Sequence, residues 1–354
     1  MDNRITKKRL GEMLSYDWLK IVVIAVVAVI LVEVLFGVFG VKVSSGQKFE
    51  IILYNNVDSS GADRLKTLVK KEEALSFDVL SFQITSLDQV YYSQTLRSRE
   101  ETAGCDIVII DNVRTYANDY PDEEKYSQSN MKNFIDGYSV YSFEYLIKDA
   151  TEYLISFLKD GVSFDTAKNN PAGFNEFFDE TKIENHFVER MKGDNRFKTE
   201  ENKREGFALE KKRMEKLFTE TCALINLFNA YKDTDLFVKY TKYEKSYYAA
   251  VLNDRKEDIE YNEQRYFEEL EERKDLAYAV NLDFLEKDEN LNAEKEPVSS
   301  YFKYAKDPFG EETEQGVKDL VLVVSNYKEA QPDLQFETIT FLACLIRNCS
   351  TLLD

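Results

Sequence analysis

The chain has 354 residues and a formal net charge of −19, from 46 Lys and Arg against 65 Asp and Glu. So acidic a composition excludes nucleic acid as an expected partner, because phosphate binding needs concentrated Lys and Arg. Apolar residues make up 44% and aromatic residues 13%, enough for a sizeable core, while 5 Pro and 13 Gly point to long helices rather than a turn-rich β-sandwich.

Residues 1–20 carry Arg4, Lys7, Lys8, Arg9 and Lys20, with Tyr16 and Trp18 placed as interfacial anchors. They precede residues 21–41, IVVIAVVAVILVEVLFGVFGV. A helix of this length spans roughly 31 Å, close to the hydrocarbon thickness of a bilayer. Each Val, Ile, Leu or Phe favours insertion by about 0.3–0.6 kcal/mol. Glu33 opposes it by about 3 kcal/mol, and the apolar sum wins. Only Lys42 and Lys48 follow nearby, so the basic N-terminal flank predicts a single-pass anchor with the N-terminus cytoplasmic and the rest extracytoplasmic. A cleaved signal peptide is the rival reading, but the apolar run resumes after Glu33 and no A-x-A site follows.

Beyond the span, residues 49–54 (FEIILY), 77–84 (FDVLSFQI) and 106–110 (DIVII) read as strands, separated by helical spacing over 62–74 and 87–101. The continuous apolar runs imply strands buried on both faces, hence a parallel sheet. From 131 to 274 the pattern is helical: one helix from Phe143 towards Gly161, one over 172–192 containing His186, one around 214–228, and a fourth over 236–274 that begins Tyr-rich at Tyr240, Tyr243, Tyr247 and Tyr248. Strand signals return at 276–282 (LAYAVNL) and 320–325 (LVLVVS), and a helix over about 333–353 closes the chain. The expected domains are therefore 1–20, the span 21–41, an α/β lobe from 48–124 and 276–354, and a helical lobe over 125–275.

The order of these elements resembles the type 2 periplasmic-binding-protein fold, the extracellular solute-binding proteins of bacterial ABC importers. The local likeness lies in DLVLVVSNYKEAQPDLQFETITFLACLI and in SQTLRSREETAGCDIVIIDN. The anchored layout is similar to small membrane-tethered relatives in Firmicutes-like bacteria. The resemblance covers residues 48–112 and 276–350 and implies a solute-binding-like lobe joined to a divergent, mostly helical second lobe.

In an open parallel sheet, ligands sit beyond the carboxyl ends of the strands. Those ends carry Asn55, Asn56 and Asp58, then Thr85 and Ser86, then Asp111 and Asn112, then Asn281 and Asp283, short polar groups suited to a small solute and equally suited to turns and N-caps. One histidine and four scattered cysteines (105, 222, 344, 349) supply no metal site and no disulfide framework, and no nucleophile, P-loop or dinucleotide motif occurs, so no cofactor is expected. The expected function is a membrane-anchored binding or interaction protein rather than an enzyme, its partners the bilayer and a small solute or another envelope protein. The alternatives are a solute receptor of an ABC importer and a surface hydrolase using two carboxylates roughly 5–9.5 Å apart.

Overall fold

Apolar runs far apart in the chain pair into one sheet in the computed structural model, which describes residues 11, 18, 20, 22–32, 43, 47–54, 57–87, 92–101, 105–112, 129–170, 173–240, 275–304, 316–326 and 335–354. The strands are β1 (Lys48–Leu53), β2 (Val57–Asp58), β3 (Ser81–Ser86), β4 (Ile107–Asp111), β5 (Phe237–Tyr240), β6 (Leu276–Asn281), β7 (Lys303–Tyr304) and β8 (Leu320–Val324). The longer helices are α1 (Ala62–Lys71), α2 (Tyr92–Glu101), α3 (Asn130–Gly137), α4 (Phe143–Ile155), α5 (Glu180–Arg190), α6 (Glu200–Tyr231) and α7 (Glu337–Cys349).

Six strands form the sheet in the order β3-β1-β4-β8-β6-β5, and β2 pairs with β7 alone. Apart from β2 and β7, the strands before Asn112 and after Asp275 thus share one sheet, as the element order predicts. The sheet is mixed, however, not parallel. β3, β1, β4 and β6 point one way, while β8 is antiparallel to β4 and β6, and β5 is antiparallel to β6. An apolar run reports that both faces of a strand are covered; it carries no information on strand direction.

The two-residue side-chain period of the strands sorts their residues between two cores. Phe49, Ile51, Leu53, Ile107, Ile109, Leu320 and Leu322 belong to the larger, together with Leu65 of α1, Leu146 of α4, Ile183 of α5, Met214 of α6 and Leu342 of α7. Ile52, Val108, Ile110, Val321 and Val323 belong to the smaller, with Leu96 of α2 and Met131, Phe134 and Ile135 of α3. The helices described within 125–275 therefore bury their apolar faces in the same cores as the sheet, and residues 43–354 form one compact unit. α7 has 11 of its 13 residues buried, the mark of a helix enclosed on all sides.

Two helical expectations change. The helix expected over 172–192 is interrupted: Gly173–Phe177 is one short helix, and Asp179 then N-caps α5 by accepting from the Thr181 and Lys182 N–H groups. The helix expected over 236–274 begins instead as β5, because Phe237 and Tyr240 have β6 as a pairing partner; residues 241–274 lie outside those described. His186, which reads as a surface residue among charged neighbours, is half-buried against the rings of Tyr153 and Phe157, with centroids 6.1 and 5.1 Å away.

The expected span over 21–41 is described only over 22–32, which is helical. Among the described residues no helix is long and apolar enough to cross a membrane.

Gly61 sets the entry into α1, and a Cβ there would run into the backbone carbonyl oxygens of Ser300 and Tyr301. Backbone cannot move aside as a side-chain tip does. Gly61→Ala should therefore lower stability by about 1–3 kcal/mol in denaturant unfolding, and an unchanged midpoint would contradict this close packing.

Candidate functional site

Among the described residues, the polar groups at the strand ends do not converge on one cleft. Asn55 and Asn56 lie outside the described residues. Asp58 accepts from the Ser60 N–H and hydroxyl at 2.9 and 2.6 Å, a local turn, and Lys303 lies 3.9 Å away. Ser86 is exposed at the end of β3, an edge strand. Asp111 is only 2% exposed and accepts from the Asn130 side chain, so it joins β4 to α3 rather than facing a ligand. Asn112 donates its backbone N–H to the Asp319 carbonyl at 2.7 Å. Asn281 caps the short helix Leu282–Leu285 by accepting from the Asp283 N–H at 3.1 Å. Four strand spacings separate Ser86 from Asn281, about 19 Å. Asn281 and Asp283 do share a hollow of about 350 Å³ with Thr234 and Lys239, but no other predicted residue lines it.

The structure instead concentrates chemistry at the junction of α1, residues 72–80, α5, α6 and α7. Six buried or half-buried charges alternate in sign through this region. The Arg196 guanidinium donates to Asp78 at 2.5 Å, Arg190 to Asp78 and to Glu210 at 2.6 Å each, and Arg213 to Glu210 at 2.8 and 3.0 Å, with Glu337 3.8 Å from Arg213. Asp78 also accepts from Gln47 at 3.2 Å, Glu337 accepts from the Ser76 N–H at 2.8 Å, and Arg213 donates to the Tyr153 hydroxyl at 2.9 Å. Burial opposes the charge on Arg213, but Tyr153, Glu210 and Glu337 outweigh it and hold its pKa well above the ordinary value. Burial holds the Glu337 carboxyl above the usual carboxylate range, against the pull of Arg213 and Ser76.

Beside this chain of charges opens a cavity of about 590 Å³, within the size range of small-molecule sites. Its wall is mostly apolar, built from Val69, Leu75, Phe77, Val79, Phe82 and Leu209. Four lysines line it: Lys66 and Lys70 one turn apart on α1, and Lys212 and Lys216 one turn apart on α6. Like charges at this spacing destabilise a helix by about 0.2–0.5 kcal/mol per pair. Lys216 is accounted for, donating to the carbonyls of Glu72 and Glu73 at 2.8 and 2.7 Å. Lys212 pairs with Glu73, and Lys66 lies 3.6 Å from Asp63. Arg213, Glu337 and Ser76 also line the cavity, and the Ser76 hydroxyl is buried without a hydrogen-bond partner among the described residues.

None of these residues stands out in the sequence as a site. One signal was present: Glu210 and Arg213 share the helical spacing of Met214, Leu217 and Leu224, placing two charges on an apolar stripe. Elsewhere, burial pushes the Cys222 and Cys344 thiols up to about 11, so both stay protonated at neutral pH and neither suits a nucleophile. Among the described residues no cluster of His, Cys, Asp or Glu could hold a metal ion.

Two measurements check this electrostatics. Arg190→Ala would leave Asp78 and Glu210 under-compensated in the interior and should cost about 3–5 kcal/mol in denaturant unfolding; a loss below about 1 kcal/mol would contradict it. For Glu337 the folded pKa is raised, so its contribution is complete below the unfolded value of about 4.3 and is lost as pH rises through the folded one. Glu337→Gln keeps an acceptor for Ser76 and cannot ionise. Its melting temperature relative to the parent should climb as pH rises above about 5, and a flat or falling difference would show that Glu337 is not strained by ionisation.

Comparison with protein-family models, with curated proteins and with solved structures finds no match to this chain.

Proposed function

We propose that the chain is a membrane-tethered, extracytoplasmic binding or interaction protein, not an enzyme, in which residues 21–41 hold an α/β body of solute-binding-like architecture at the bilayer. The observation that carries the tether is the helix over 22–32. Its large apolar side chains, Val22, Val23, Ile24, Val26, Val27, Val29, Ile30, Leu31 and Val32, are each between 47% and 68% exposed. Leaving such side chains in water forgoes about 1.5–3 kcal/mol each relative to full burial. The described part of this helix is shorter than a span; its sequence continues apolar past Glu33 to Val41, and the basic residues precede it.

The binding half of the reading rests on the body. A strand–helix–strand–helix–strand start, a long excursion and two returning strands support the likeness to solute-binding lobes. The place for a ligand moves, however. Of the strand-end residues, Asp111 is engaged inside the fold and Ser86 and Asn281 stand about 19 Å apart, which disfavours the importer-receptor arrangement at that edge. The lysine-lined cavity is the better-formed concavity.

Protease added to intact, wall-stripped cells should digest the portion after Lys42 and leave a short membrane-bound fragment. Protection of that portion, or release of a chain beginning near Ser45, would overturn the tether.

A further inference from the structure

We propose that the cavity between α1 and α6 binds a small amphipathic organic anion, its acidic head group held by Lys66, Lys70 and Lys212 and its apolar body laid against Phe77, Val79, Phe82 and Leu209. The inference deepens the binding reading and does not depend on the tether.

Charge complementarity selects the sign of the ligand. The chain as a whole is at −19, yet the cavity lining holds Lys66, Lys70, Lys212, Lys216 and Arg213 against only Glu73 and Glu337. A cationic concavity on so acidic a molecule focuses anions, since repulsion keeps them from most of the remaining surface. Helix capping accounts for Lys216, but it does not account for the whole set. The Lys70 ammonium makes no ion pair or hydrogen bond among the described residues, and Lys66 reaches Asp63 only at 3.6 Å.

Shape and wall chemistry select the body. A volume of about 590 Å³ suits a ligand with a ring or a short branched chain, and the aromatic and aliphatic wall suits an apolar one. A nucleotide is disfavoured, because lysines are point charges and the fork of Arg213, the guanidinium on the lining, is engaged with Glu210 and the Tyr153 hydroxyl. The buried Ser76 hydroxyl supplies one more donor on the lining.

The lining is also built to hold its form. Glu73 sits at φ +47°, the left-handed region, where it ends α1: the Glu73 N–H donates to the Lys70 carbonyl and the Ala74 N–H to the Val69 carbonyl at 2.9 Å. That is the hydrogen-bond pattern of a Schellman cap, with a glutamate where glycine is usual. Its side chain pairs with Lys212, so the turn that shapes the lip is fastened to α6 by the ligand-facing lysine itself. An anion that recruits Lys212 would compete with Glu73 for it.

The test uses the full chain in lipid nanodiscs, with empty nanodiscs as control, titrated calorimetrically with 4-phenylbutyrate and with its neutral analogue 4-phenylbutanol. The acid should bind and the alcohol should bind more weakly by about tenfold, with the acid's affinity falling as salt is raised. The double variant Lys66→Gln, Lys70→Gln neutralises two exposed side chains, so its melting temperature should stay close to the parent while the preference for the acid disappears. Equal affinity for acid and alcohol, no binding of the acid, or an undiminished preference in the double variant would each overturn the proposal. A chain that passes the protease test and fails this one keeps its tether and loses its ligand class.

Discussion

Six charges drawn from four distant parts of the chain, Arg196, Asp78, Arg190, Glu210, Arg213 and Glu337, lie in alternating order inside the protein, and the arrangement of the helices depends on them. Glu210 and the Arg213, Asp78 and Glu337 side chains are 4% exposed or less. Taking such groups out of water costs several kcal/mol each, and only dense mutual pairing returns it. Here each carboxylate meets at least one guanidinium and a further donor or a second guanidinium. The consequence is specificity of position: residues 72–80, α5, α6 and α7 cannot slide past one another without stranding a charge. The paired Arg347 and Glu220, bonded at 2.6 and 2.8 Å, add a second link between α6 and α7.

That constraint explains how a cavity survives beside a packed core. Apolar surfaces alone would close the space between α1 and α6. The Ser76 N–H on Glu337 and the Asp78 bridge to Arg190 and Arg196 hold residues 72–80 against α5 and α7, while Lys216 reaches over to cap the end of α1. The lip is thus held by polar bonds of fixed length, and the wall beneath it, with Phe82 packed 6.5 Å from Phe341, remains apolar. The raised pKa of Glu337 gives the same site a dependence on pH, because ionising that carboxyl works against its own burial.

The sheet shows a different division of labour. Its larger core carries α1, α4, α5, α6 and α7, and its smaller core carries α2 and α3. Glu50 ties the second side together: it accepts from Thr85 of β3 at 2.6 Å and lies 3.2 Å from Arg99 of α2, though it is only 2% exposed itself. The strand-end residues that look like a ligand cleft act here as connectors and caps, Asp111 to Asn130 and Asn281 to the Asp283 N–H. Polar residues suit strand ends for backbone reasons whether or not a ligand is present, and local spacing cannot separate the two uses.

By itself the sequence determined the features that local physics writes into neighbouring residues. The apolar run over 21–41, the strands around FEIILY, DIVII, LAYAVNL and LVLVVS, the helices around them and the closing helix all follow from hydrophobic period and length. Tertiary structure alone decided what depends on residues far apart. The reversed direction of β8 arises from its register against β4, Ile107 opposite Val324, and β5 exists as a strand because β6 offers it an edge. The lysine pairs of α1 and α6 read separately as solvated helix faces and line one cavity only when those helices meet. Glu337 and Ser76 are 261 residues apart, and no periodicity within a helix or strand records that one will donate to the other. Backbone preference and amphipathic period act over a few residues, whereas pairing of buried charges acts through space, and so the fold's elements were legible in the chain and its cavity was not.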